Sequence, residues 1–161
     1  MGEVGREITT RCRAFEMNVL YYQRTKLSAG DEETLGARHA PLHDLLAASD
    51  YVILQLPLNE STRHIIGHKE FAAMKPGAIL VNVARPDLME KEALIAALDS
   101  GRLAGLGLDV GYTEPTRSDD PLLNYKNGNV ILLPHTAVGD RCVGLADLEE
   151  MCLNLCCEVM R

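Results

Sequence analysis

The run Ala78-Ile79-Leu80-Val81-Asn82-Val83, which Ala84-Arg85 follows, is apolar at nearly every position. A second run of the same kind, Tyr51-Val52-Ile53-Leu54-Gln55-Leu56, stops at Pro57. A strand with one face in water alternates apolar and polar residues, whereas a strand covered on both faces does not. These runs therefore predict an α/β fold, a parallel sheet with helices on each side.

Strand-like and helix-like patterns alternate along the chain. Strands are predicted over 18–22, 51–56, 78–83, 103–110 and 129–133, and polar connections over 24–36 and 111–128. Helices are predicted over 6–16, 41–46, 68–74, 90–98 and 141–161. Ligands of such sheets bind beyond the carboxyl ends of the strands. The candidate site therefore consists of the residues that follow the strands: Gln23, Pro57, Ala84, Arg85, Asp109 and His135.

Length and charge limit the class of protein. The 161 residues are enough for one domain, 1–161, and short for two. A formal net charge of −7 argues against a general nucleic-acid-binding surface. No apolar run approaches the roughly 18 residues of a membrane span, and residues 1–10 lack the apolar core of a secretory signal. We expect a cytoplasmic protein that binds neither nucleic acid nor a membrane.

The cysteines do not suggest a disulfide framework. There are five, with three crowded near the C-terminus: Cys12, Cys142, Cys152, Cys156 and Cys157. The count is odd, and no histidine lies within metal-ligand spacing of the crowded three. We predict reduced thiols packed as small apolar side chains, and no metal site.

The chain opens with Gly2-Glu3-Val4-Gly5 in front of a predicted helix. These residues match the last two glycines of the G-x-G-x-x-G fingerprint, in which the N–H groups of a helix N-terminus face a pyrophosphate. The first glycine and the strand before it would precede Met1. This signal alone is weak, and a flexible terminal segment is the alternative.

The same fingerprint predicts an acidic residue about 20 positions later, bound to the adenosine ribose. Gln23 and Arg24 occupy that strand end. Glutamine does not accept hydrogen bonds from both ribose hydroxyls as a carboxylate does. It also does not repel a 2′-phosphate, and Arg24 can form an ion pair with one. An ordinary solvent-facing strand end is the alternative.

Three stretches together resemble the D-isomer-specific 2-hydroxyacid dehydrogenases. They are Met74-Lys75-Pro76-Gly77-Ala78-Ile79-Leu80-Val81-Asn82-Val83-Ala84-Arg85-Pro86, then Ala104-Gly105-Leu106-Gly107-Leu108-Asp109-Val110 with Thr113-Glu114-Pro115, and Leu132-Leu133-Pro134-His135-Thr136-Ala137. Their order and spacing agree with that family over nearly the whole chain.

The resemblance implies a Rossmann-type doubly wound parallel sheet that lacks its first strand, with the family's substrate domain absent. The missing strand is central in the family, so its loss should leave two neighbouring strands unpaired. We expect a fragment, an expressed piece of a longer protein or a truncated gene product, with negligible turnover by these residues alone.

The resemblance also implies a reaction, reversible hydride transfer between NAD or NADP and a D-2-hydroxy acid or 2-keto acid. Arg85 would clamp the substrate carboxylate, since its guanidinium is planar and always charged. His135 would be the general acid–base, and Glu114 would orient it. Homodimers are common in the family, so a homodimer is implied in the same way.

The cofactor contacts implied by the resemblance lie at other strand ends. Asp109 would contact the nicotinamide carboxamide, and Val83 and Ala84 would border the ring. Pro57 and Thr62 would lie on the adenine and ribose side, although Pro57 is equally a simple strand terminator.

The sequence departs from the family pattern at three points. Pro86 stands where the family often has glycine, and Gln23 replaces the ribose-binding acid. Gly111-Tyr112 replaces an aromatic-first pair, which is expected to loosen the loop that places Glu114. Two other functions stay open: a non-catalytic, nucleotide-sensing interaction module like the family's corepressor branch, and an inactive truncated product.

Overall fold

The structure is a computed structural model that describes residues 1–125 and 129–135. Its helices are α1 (Glu3–Ala14), α2 (Ala29–Leu35), α3 (Leu42–Ala48), α4 (His68–Ala73) and α5 (Lys91–Asp99). Its strands are β1 (Val19–Tyr21), β2 (Ala37–His39), β3 (Tyr51–Leu54), β4 (Ala78–Asn82), β5 (Leu103–Leu108) and β6 (Val130–Leu132). A 3₁₀ turn, Pro86–Leu88, lies between β4 and α5. The alternating α/β order is confirmed, and the helix predicted over 141–161 lies outside the described residues.

The described strands form two parallel sheets. β1 pairs with β2, and the second sheet has the order β3-β4-β5-β6. Within the described ranges β1 and β3 do not pair with each other. Among the described residues, this division leaves one edge of β1 and one edge of β3 without a strand partner.

The core lies between the four-stranded sheet and helices α3, α4 and α5. Leu80 of β4, Leu106 of β5 and Leu94 of α5 are each 0% exposed and belong to one apolar cluster. Successive side chains of a strand point to opposite faces. Val81 is also 0% exposed, so β4 is buried on both faces, as its unbroken apolar run predicts.

The predicted connection over 24–36 is wrong, because it contains α2. Ser28 caps this helix by accepting a hydrogen bond from the Asp31 N–H at 3.1 Å, and Gly36 ends it in the left-handed region at φ 60°. Both are known helix boundary signals, so the sequence did contain the information. Strand β2 has only three residues and one buried side chain, Ala37, too short for a detectable pattern.

In the part of the chain that the structure describes, no helix has the length and apolar character of a membrane span. Nor does any group of three or more His, Cys, Asp or Glu within the described ranges have an arrangement suited to a metal ion. Cys12 is a free, half-buried thiol whose pKa is raised by burial. The other four cysteines lie outside the described residues.

Candidate functional site

The carboxyl ends of three neighbouring strands carry the residues predicted for the chemistry. Arg85 lies just beyond β4, Asp109 directly after β5, and His135 just beyond β6. The backbone ladder continues past β5, because the Asp109 N–H donates to the Asn82 carbonyl at 3.2 Å. Adjacent strands lie about 4.8 Å apart, which places these three strand ends within roughly 10 Å of one another.

Glu114 and His135 are in direct contact. The Glu114 Oε1 atom lies 2.8 Å from His135 Nδ1, and the two side chains are 50% and 36% exposed. The imidazole is therefore held by a carboxylate at one nitrogen while a ligand can still approach it. His135 also has a φ of 55°, a left-handed conformation that costs a residue with a side chain roughly 1 kcal/mol. Such strained backbone is concentrated at functional sites.

The turn that carries Arg85 is held by Asn82, the last residue of β4. Asn82 is 0% exposed; its Nδ2 donates to the Arg85 carbonyl at 2.8 Å and its Oδ1 accepts from the Ala84 N–H at 3.0 Å. The Arg85 side chain is exposed, and its Nη1 donates to the Ala84 carbonyl at 2.6 Å. No described contact joins Arg85 to Glu114 or His135.

Sequence reasoning did not assign a role to Asn82. The signal was present, since Asn82 is a polar residue near the end of an otherwise apolar strand, three residues before the predicted arginine. A buried side-chain amide needs hydrogen-bond partners, and here the neighbouring backbone supplies them.

The loop after β5 makes a tight turn at Gly111 and is bonded through Tyr112, and the loosening expected from Gly111-Tyr112 stays a prediction. A Cβ atom at Gly111 would lie 2.8 Å from the Thr113 carbonyl oxygen, so only glycine permits this tight turn. The Tyr112 hydroxyl donates to the Met89 carbonyl at 3.1 Å, which anchors the loop beside α5. Burial raises the pKa of Tyr112, with Asp87 contributing, so the hydroxyl stays a neutral donor.

An open cavity of about 360 Å³ adjoins the Glu114–His135 pair. Most of its other lining is apolar and includes Leu123, Leu132 and Leu133. A carboxylate–imidazole pair at the wall of such a cavity can exchange a proton with a small bound molecule.

The helix at the N-terminus begins at Glu3 rather than at residue 6 as predicted. Gly2 is therefore its N-cap, and Val4 and Gly5 lie in its first turn. No described side chain caps this end, and the first backbone bond of the helix runs from the Arg6 N–H to the Gly2 carbonyl at 3.0 Å. The N–H groups of Glu3, Val4 and Gly5 precede that bond and have no partner within the helix, so they can donate to an anion.

Beyond the end of β1, both the oxygen and the nitrogen of the Gln23 side-chain amide form hydrogen bonds. Its Oε1 accepts from the Met1 ammonium group, and its Nε2 donates to the Thr25 carbonyl. Lys26 pairs with Glu32 at 3.2 Å. Arg24 is exposed and has no ionic partner among the described residues, which leaves its charge available to an incoming anion.

Thr62 and Pro57 lie in one turn after β3. The Thr62 hydroxyl donates to the Pro57 carbonyl at 2.7 Å and accepts from the Asn59 N–H at 2.8 Å, so both its hydrogen and one lone pair serve the turn. Val83 and Ala84 are half-buried directly after β4. Because β3 and β4 are neighbouring parallel strands, the turns that follow them lie side by side at one edge of the sheet.

Residues 1–137 match the family described as D-isomer specific 2-hydroxyacid dehydrogenase, NAD binding domain. The chain belongs to this family. It is 46% identical over 134 residues to a glyoxylate reductase of Thermococcus gammatolerans, covering 83% of this chain and 39% of the relative. It is 47% identical over 135 residues to 4-methyl-2-oxopentanoate reductase A of Aspergillus oryzae, covering 84% of this chain and 40% of the relative.

A solved structure of a glyoxylate reductase from Paecilomyes thermophila superposes with a TM-score of 0.77 and 44% identity, over 96% of this chain and 44% of that one. The Rossmann-type fold predicted from the family resemblance is thereby confirmed. The chain spans about 40% of the length of the curated relatives named above.

Proposed function

We propose that these residues are the NAD(P)-binding part of an oxidoreductase that carries the catalytic side chains for interconverting a D-2-hydroxy acid and its 2-oxo acid. The observation that carries this proposal is the 2.8 Å contact between Glu114 and His135 at the end of β6, beside the strand ends of Arg85 and Asp109. Membership of a dehydrogenase family supports the reaction class.

The chemistry divides among three side chains. Arg85 binds the substrate carboxylate through paired N–H groups and keeps its charge throughout. Glu114 holds His135 Nδ1, which leaves Nε2 to exchange a proton with the substrate oxygen. Asn82 fixes the turn on which Arg85 is carried. When bound, the nicotinamide cofactor supplies or accepts the hydride.

The N-terminal residues fit the cofactor. The N–H groups of Glu3, Val4 and Gly5 at the uncapped start of α1 suit a pyrophosphate, which favours a helix N-terminus. Gln23 offers the ribose no carboxylate, and Arg24 can pair with a 2′-phosphate. We therefore expect NADP to be accepted alongside NAD. At the other end of the cofactor, we assign Asp109, Val83 and Ala84 to the nicotinamide.

Isothermal titration of the 161-residue chain with NADH and NADPH tests the cofactor proposal. Arg24→Ala should weaken NADPH binding by about 10- to 150-fold, because a hydrogen bond to a charged group contributes about 1.5–3 kcal/mol, and should leave NADH binding unchanged. Arg38→Ala is the matched control, an exposed arginine on β2. Equal effects of Arg24→Ala on both cofactors would refute the 2′-phosphate assignment.

Because the chain spans about 40% of the length of these relatives, the catalytic assignment is tested in a chimera that joins these residues to the rest of a related glyoxylate reductase. Reduction of glyoxylate and 4-methyl-2-oxopentanoate is followed by cofactor absorbance. His135→Asn should lower kcat by about 100-fold or more, and Arg85→Ala should chiefly raise KM. His64→Asn is the control, since His64 is a second histidine with positive φ, at 53°, outside the site.

Cofactor binding without turnover by the chimera would instead favour the nucleotide-sensing alternative. Negligible turnover by the 161 residues alone, the single cofactor-binding domain over 1–161, the homodimer and the cytoplasmic location stay predictions. Light scattering of the purified chain measures its oligomeric state directly.

A further inference from the structure

We infer that Lys91, Tyr112 and Asp120 form a tether that positions Glu114 for its contact with His135. The inference rests on the proposed function, because it concerns the pair to which that function assigns proton transfer. The three residues are called the loop tether, and the segment over residues 109–125 is called the Glu114 loop.

The centre of the loop tether is a largely buried ion pair. Lys91 opens α5, and its Nζ lies 2.6 Å from Asp120 Oδ2. The Asp120 side chain is only 6% exposed and that of Lys91 is 28% exposed. The same Nζ lies 5.1 Å from the centre of the Tyr112 ring, within the range of a cation–π contact. One lysine on the helix thus contacts the Glu114 loop at two places.

These two places lie on opposite sides of Glu114 in the chain. Tyr112 precedes it, and its hydroxyl is bonded to the Met89 carbonyl at 3.1 Å. Asp120 follows it, and its Oδ1 accepts from the Leu122 N–H at 3.0 Å. The loop is therefore fixed to the start of α5 both before and after the carboxylate.

Glu114 itself depends on this support. Its side chain is 50% exposed, and within the described ranges His135 is its one side-chain partner. Its position is set by its backbone, which lies next to the tight turn at Gly111, where the Thr113 carbonyl leaves no room for a Cβ atom. Only one residue separates Tyr112 from Glu114, and consecutive Cα atoms are held about 3.8 Å apart, so a shift of the Tyr112 backbone moves the Glu114 backbone with it.

A tether that only stabilised the fold would leave the Glu114–His135 bond intact in any variant that stays folded. The bond can be observed directly near 0 °C, where exchange with water is slow enough for an imidazole Nδ1 proton shared with a carboxylate to be seen as a low-field resonance. This signal is followed by nuclear magnetic resonance in the 161-residue chain, with circular dichroism and thermal unfolding recording whether each variant folds.

Lys91→Met and Asp120→Asn should each abolish the low-field signal, and Lys91→Arg, which keeps the charge, should retain it. Lys75→Met is the matched control, since it removes a lysine–aspartate pair with Asp50 at 2.8 Å on another part of the surface. It should leave the signal unchanged. Affinity for NADH should be the same in all of these variants.

The outcomes separate the tether from the proposed function. If Glu114→Gln abolishes the signal while Lys91→Met and Asp120→Asn keep it, the tether is refuted and the proposed function stands. If Glu114→Gln also keeps the signal, the pair and the proposed function both fail. If Lys75→Met abolishes it as well, the effect is a general loss of stability, and the tether is again refuted. Asp120→Asn keeps the size of the side chain, so it provides the test should Lys91→Met not fold.

Discussion

Replacing Asn82 by alanine should detach the turn that carries Arg85. The substitution removes two hydrogen bonds, from Nδ2 to the Arg85 carbonyl at 2.8 Å and from the Ala84 N–H to Oδ1 at 3.0 Å. Asn82 is 0% exposed, so water does not readily replace these bonds. At about 1 kcal/mol per bond, the free energy of unfolding should fall by about 2 kcal/mol.

Urea unfolding followed by circular dichroism measures this loss. For a slope of about 1.5–2 kcal/mol/M, the midpoint should move down by roughly 1 M with an unchanged slope. Asn129→Ala is the control. Asn129 makes one bond, from Nδ2 to the Ala104 carbonyl at 2.8 Å, while its Oδ1 is buried without a partner among the described residues. Removing that unsatisfied oxygen offsets the lost bond, so the control should change little.

A loss below about 0.5 kcal/mol for Asn82→Ala, or one equal to that of Asn129→Ala, would show that Asn82 does not hold the Arg85 turn. In the chimera, the same substitution should raise KM for the 2-oxo acid more than it lowers kcat, because it disturbs the turn that carries the carboxylate-binding arginine rather than the proton-transferring pair.

Three further predictions concern stability. Leu80→Ala should cost about 3 kcal/mol, since Leu80 is 0% exposed at the centre of the core; a loss under 1 kcal/mol in urea would contradict this. Gly30→Ala should stabilise α2 by up to about 1 kcal/mol, because a Cβ atom there meets open space. Gly111→Ala should instead lower Tm, because its Cβ atom would meet the Thr113 carbonyl. A change of Tm with the same sign for both variants would be inconsistent with the structure. Burial alone would raise the pKa of Glu32, but hydrogen bonds from Tyr21, Lys26 and the His39 N–H outweigh it and lower that pKa. The stability that Glu32 contributes is therefore present above its usual pKa of about 4.3 and is lost as pH falls through its lower folded value. The difference between wild type and Glu32→Gln should shrink in unfolding experiments below about pH 4, and a difference that grows there would exclude this sign.

The strands of the larger sheet could be predicted from the sequence because burial on both faces leaves a local mark. The apolar runs of β3, β4 and β5 identify these strands without knowledge of their neighbours. The residues that follow them could be selected as the candidate site because parallel strands place their carboxyl ends along one edge. Helix α2 has the polar composition of a connection, and only the capping residues Ser28 and Gly36 mark it as a helix.

The order of the side chains that follow the strands, from Arg85 after β4 to His135 after β6, can be read from the amino-acid sequence. The contact of Glu114 with His135 and that of Lys91 with Asp120 could not be predicted in this way. A strand's apolar pattern follows from the burial of that strand alone, whereas these two contacts join residues from different segments of the chain. Such contacts exist only once the parallel register of β4, β5 and β6 has fixed the distances between those segments.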